Sequence, residues 1–99
     1  MVQANAAQPY TGILGNNKAD FYRFTLPTAA TLKITAHVDE KSPGTVNLEL
    51  FKNDVSLGGL TFIKYGSPGT LTSDKALDPG DYIIKISGDA IYQFEITTQ

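Results

Sequence analysis

The sequence predicts a small all-β fold, an antiparallel β-sandwich of about seven to eight strands with no long helix. Three observations carry this expectation. From residue 20 onward, apolar and polar residues alternate with a period of two. Turn signals built from Gly, Pro, Asn and Asp punctuate the alternating runs at short intervals. No stretch sustains the ~3.6-residue period of an amphipathic helix.

The elements follow in order. In DFYRFTL, Tyr22, Phe24 and Leu26 share one face and Phe21, Arg23 and Thr25 the other, until Pro27 breaks the run. TLKITAH places Leu32, Ile34 and Ala36 inward and Lys33, Thr35 and His37 outward. VDEKSPGT is a polar loop. VNLELFK sets Val46, Leu48 and Leu50 inward, with Asn47 and Glu49 outward, and Asn53-Asp54 then signals a turn. SLGGL reads as a second turn around Gly58 and Gly59, LTFIKY as a strand, and TLTSDKAL as a weak stretch with a short strand at its start. Asp78-Pro79-Gly80 is a strong turn, since Pro79 fixes φ and Gly80 accepts φ > 0. The closing stretch LDPGDYIIKISGDAIYQFEITTQ reads as a β-hairpin about Gly88-Asp89. Its inward residues are Tyr82, Ile84 and Ile86, then Tyr92, Phe94 and Ile96, and Ile83 and Ile91 are expected to cover each other across it. Residues 1–11 read as a polar leader or linker and residues 12–99 as one sandwich domain.

Composition narrows the function. The chain has 99 residues, enough for one modest core, with 41% hydrophobic residues and a net charge of -2. Its lysines are scattered and form no basic run, so no nucleic-acid partner is expected. No apolar run approaches the ~18 residues of a membrane-spanning helix, so no membrane insertion is expected. The absence of cysteine removes disulfides, thiolate catalysis and cysteine-bound zinc. The leader lacks a positive start and an apolar centre, so no signal peptide is expected within it. A monomer is expected.

The order and spacing of several stretches resemble the bacterial pre-peptidase C-terminal domains. GILGNNKADFYRFTLP is similar to their opening, a Gly-rich turn leading to an Asp, an aromatic pair and an apolar strand. TLKITAHVD and VNLELFKND resemble the strands that follow, and LDPGDYIIKISGDAIYQFEIT resembles their ending. The resemblance covers residues 12–97. It implies a jelly-roll-like sandwich related to the collagen-binding domains of clostridial collagenases. It also implies a non-catalytic accessory module of an exported bacterial protein, secreted, cell-surface or periplasmic. Such a module binds a surface or substrate, or assists secretion and maturation of an attached domain of a larger precursor. The alternative is a structural spacer or protein-interaction domain with no small ligand of its own.

Candidate chemistry is sparse. His37 is the sole histidine; Ser42, Asp39 and Asp20 could complete a triad by type, but no nucleophile elbow surrounds any serine, and no enzyme activity is expected. The resemblance implies calcium at Asp20, which matches the family's strand-opening Asp, and at Asn17, where a second ligand would stand. The leader itself holds neither Asp nor Glu. The plainer reading makes Asp20 an acceptor of hydrogen bonds from its own loop and leaves Asp39 and Glu40 as a solvated loop, with no cofactor. Outward aromatics on a sheet can grip glycan rings or an extended peptide. Phe21, Phe51, Phe62 and Tyr65 are such aromatics, Phe21 and Phe51 because they fall off the main apolar register, and Phe51, Phe62 and Tyr65 are the candidates for binding a polysaccharide or protein fibre. The tyrosine contact surface of the collagen-binding relatives is not expected, because Tyr82 points inward and Ile83 and Lys85 take the outward places.

Overall fold

The alternating runs become nine strands in the computed structural model, which describes residues 2–15, 18–39, 44–73 and 75–99. They are β1 (Val2–Ala4), β2 (Pro9–Ile13), β3 (Lys18–Leu26), β4 (Leu32–Val38), β5 (Val46–Lys52), β6 (Val55–Ile63), β7 (Gly69–Thr72), β8 (Gly80–Gly88) and β9 (Ile91–Thr98). There is no helix among the described residues. A five-stranded sheet has the order β1-β3-β8-β5-β6, and a four-stranded sheet the order β2-β9-β4-β7. All pairings are antiparallel except β1 with β3, which is parallel.

The core lies between the sheets. Tyr22, Phe24, Leu26, Val46, Leu48, Leu50, Tyr82, Ile84 and Ile86 enter it from the five-stranded sheet. Leu32, Ile34, Ala36, Val38, Tyr92, Phe94 and Ile96 enter it from the other. Every inward residue that the alternation assigns is therefore buried. Each large apolar side chain contributes roughly 1.5–3 kcal/mol by leaving water, as an upper figure. β9 is central in its sheet, in register with β2 on one side and β4 on the other.

Four features differ from the sequence reading. The strands number nine, because residues 2–11, read as a leader, contribute to both sheets. Ala4 is buried beside β3, where it pairs with Phe24. Tyr10 stacks on Phe94 at 5.5 Å between ring centroids. β1 and β2 are edge strands of only three and five residues, so their alternation is faint.

SLGGL is the second difference: it is not a turn but the middle of β6. Two bulges let it continue. Leu57 is the extra residue between the Leu50–Gly58 and Phe51–Ser56 pairs, and Thr61-Phe62 stand opposite Asn47 alone. Third, the closing stretch is not a hairpin. β8 belongs to the five-stranded sheet and β9 to the four-stranded one, so Gly88-Asp89-Ala90 arches across the sandwich. Gly88 permits the arch with φ +138, and a Cβ there would lie 2.3 Å from the Thr45 carbonyl oxygen. Fourth, Ile83 and Ile91 consequently sit in opposite sheets. Ile83 is flanked by Arg23 and Phe51, and Ile91 by Ile13.

Two turns match their signals. Asn53 and Asp54 both have φ > 0, at 52° and 64°, the pattern that suits a tight hairpin between β5 and β6. Gly80, the first residue of β8, has φ +145 where the chain leaves the Asp78-Pro79 turn. That turn is clamped by Tyr82, whose hydroxyl donates to the Asp78 carbonyl at 2.6 Å. The Lys52 ammonium lies 4.9 Å from the Tyr82 ring centroid and closes the clamp from β5.

Candidate functional site

Asp20, the third residue of β3, pairs with Ile86 across to β8. Its half-buried carboxylate accepts a hydrogen bond from the Tyr92 hydroxyl of β9 at 2.6 Å. The Tyr92 and Tyr22 hydroxyl oxygens lie 2.5 Å apart. A phenol carries one proton, and that of Tyr92 is directed at Asp20, so Tyr22 donates to Tyr92. The chain Tyr22–Tyr92–Asp20 thus stitches the two sheets together. Tyr92 lies over Gly12 of β2, where a Cβ would fall 2.3 Å from its hydroxyl oxygen. Burial, followed by the hydrogen bonds to Asp20 and Tyr22, raises the Tyr92 pKa far above the ordinary value near 10. Burial also raises that of Tyr22.

Asp20 is therefore an acceptor, but its donor is a tyrosine from the opposite sheet as opposed to its own loop. Calcium needs six to eight oxygens. Among the described residues no three acidic or imidazole side chains gather at any place, so those residues do not by themselves fit the ion. Asn17, Glu40 and Ser42 lie outside the described residues. His37 projects outward from β4, in the sheet opposite the one that carries Asp20.

The outward aromatics divide. Phe62 is 75% exposed and Tyr65 57% exposed, in and just beyond the end of β6. Phe62 has φ 56°, a conformation that bulky residues seldom adopt and that costs of order 1–3 kcal/mol. Its N–H donates to the Asn47 side-chain oxygen at 2.9 Å, which pins the bulge and holds the ring outward. Phe51 is half-buried on the outer face of the five-stranded sheet, beside Ile83 and Ser56. Phe21 is half-exposed on the same face.

Sequence reasoning missed a depression of about 440 Å³ on this outer face, over Gly58 and Gly59. Asn47, Glu49, Ser56, Thr61, Lys85 and Ser87 stand around it. Their outward alternation on β5 and β8 was the available signal. The depression itself depends on the two bulges, which bring a Gly-Gly pair into mid-strand. At Gly59 a Cβ would lie 2.5 Å from the Leu48 carbonyl oxygen, so the β5 backbone enforces the missing side chain.

No family model matches the chain, and no curated protein matches it. Solved structures do. The pre-peptidase C-terminal domain of a collagenase from Bacillus anthracis is 14% identical, with a TM-score of 0.76 over 97% of this chain and 93% of that one. A periplasmic inhibitor of g-type lysozyme from Aeromonas hydrophila is 11% identical, with a TM-score of 0.71 over 99% of this chain and 96% of that one. Its counterpart from Salmonella Typhimurium is 14% identical, with a TM-score of 0.56 over the full length of both. The β-sandwich fold implied by the resemblance to pre-peptidase C-terminal domains is thus the fold observed.

Proposed function

We propose that this chain is a non-catalytic binding module of an exported bacterial protein, secreted, cell-surface or periplasmic. It holds an attached domain of a larger precursor against a polysaccharide or a protein fibre. The observation that carries this reading is the exposed pair Phe62 and Tyr65, with Phe62 held outward against its backbone preference. A protein gains no stability from a phenylalanine in that state, whereas a flat, rigid ring in water suits stacking on a sugar or a peptide. The fold shared with a periplasmic lysozyme inhibitor and a collagenase domain supports a location outside the cytoplasm. No helix of the described residues is long and apolar enough to cross a membrane.

Retention on insoluble polymers tests the proposal. Cellulose, chitin and fibrillar collagen are each incubated with the protein, washed and eluted. The expected result is retention on at least one, reduced at least ~10-fold by Phe62→Ala or Tyr65→Ala, since aromatic anchors dominate such contacts. Passage of the native protein through all three matrices would favour a spacer.

A further inference from the structure

We infer that the depression over Gly58 and Gly59 is a subsite for the rings of a neutral polysaccharide. This inference rests on the binding-module reading above and assigns its ligand class. The depression is large enough for a small ligand, about 440 Å³ against the ~300–1,000 Å³ typical of ligand pockets. It lies open on the outer face of the sheet, lined by β5, β6 and β8.

Its chemistry selects the occupant. Glu49 and Lys85 are register partners on β5 and β8, one acidic and one basic, so the depression has no net charge from this pair. Among the described residues neither forms an ion pair or a side-chain hydrogen bond. Both heads therefore stand available, one as acceptor and one as donor. Ser56 and Thr61 add hydroxyls on the β6 side. Asn47 spends its side-chain oxygen on the Phe62 N–H and keeps its NH₂ donors for a ligand. A sugar hydroxyl both donates and accepts, and this mixed set meets both needs. An anionic polymer would face Glu49, and a cationic one would face Lys85. Gly59, in register with Glu49, puts no side chain on this face, so the flat face of a ring can approach the backbone there.

Affinity electrophoresis in native gels provides the test. The gels contain a soluble β-1,3-glucan, a galactomannan or hydroxyethyl cellulose, with polygalacturonate as an anionic control and a triple-helical collagen peptide as a protein control. The expected result is retardation by at least one neutral polymer. The double variant Glu49→Met/Lys85→Met keeps net charge and bulk but loses both polar heads. It should bind that polymer at least ~10-fold more weakly at an unchanged melting temperature. Retardation by none of the neutral polymers overturns the inference, as does equal binding by the double variant or binding of the controls alone. Binding that survives in Glu49→Met/Lys85→Met but falls in Phe62→Ala would remove this subsite and leave the binding-module reading standing. Absence of all binding, in gels and on the insoluble matrices, would remove both.

Discussion

Tyr92 is the residue on which the two sheets meet. Its hydroxyl accepts from Tyr22 of one sheet and donates to Asp20 of the same sheet while its ring belongs to the other. Tyr92→Phe keeps the ring and removes the junction. At neutral pH the variant should be less stable by about 1–3 kcal/mol, because Tyr22 and Asp20 lose a buried partner. The pH dependence has a definite sign. The folded state holds Tyr92 and Tyr22 protonated beyond the ordinary value near 10, while the unfolded chain ionises there. The stabilisation is fully present below pH ~10 and is lost as pH climbs toward the folded-state values. Denaturation midpoints between about pH 8 and pH 11 should therefore fall more steeply for the native protein than for Tyr92→Phe. Parallel curves would show that the phenol is not held protonated by the fold.

At the level of elements, the arch between β8 and β9 shows what the sequence conveys and what it withholds. Alternation assigned Tyr82, Ile84, Ile86, Tyr92, Phe94 and Ile96 to the interior, and all six are there. Alternation says which face of a strand is buried; it does not say to which sheet the strand belongs. Gly88-Asp89 between two alternating runs has the local chemistry of a hairpin turn. Bonds to other strands decide otherwise. The Asp89 N–H donates to the Thr45 carbonyl, and the Ala90 carbonyl accepts from the Leu14 N–H. These partners are remote in sequence, so no local signal announces them. The candidate site divides in the same way. Phe62 and Tyr65 are aromatic residues beside turn signals, and their exposure is found only in the fold, as is the depression over Gly58-Gly59, which arises from two bulges whose partners lie on β5. The arch yields a clean test. Gly88→Ala forces a Cβ into the Thr45 carbonyl at φ +138 and should cost at least about 2 kcal/mol in chemical denaturation. Gly15→Ala, where a Cβ has no neighbour within 4 Å, should stay within about 0.5 kcal/mol of the native protein. Similar midpoints for both variants would refute the arch.

For the whole molecule, metal dependence separates the two readings of Asp20. The Asp20 carboxylate is engaged by Tyr92, and among the described residues no acidic cluster joins it. Millimolar calcium added after EDTA should move the melting temperature by less than about 2 °C. A folded-state site at ~100 times its dissociation constant would add about 2.7 kcal/mol, or roughly 10–20 °C for a domain of this size. A rise of that order would return Asp20 and Asn17 to the ligand list. The placement of β9 also governs how the molecule comes into being. β2 and β4 leave the ribosome early, yet they do not pair with each other, and each pairs with β9. Until Ile91–Thr98 emerges they have no common neighbour, and the four-stranded sheet cannot close around its missing middle. A chain halted anywhere in that interval holds only the partners of a strand that has yet to arrive.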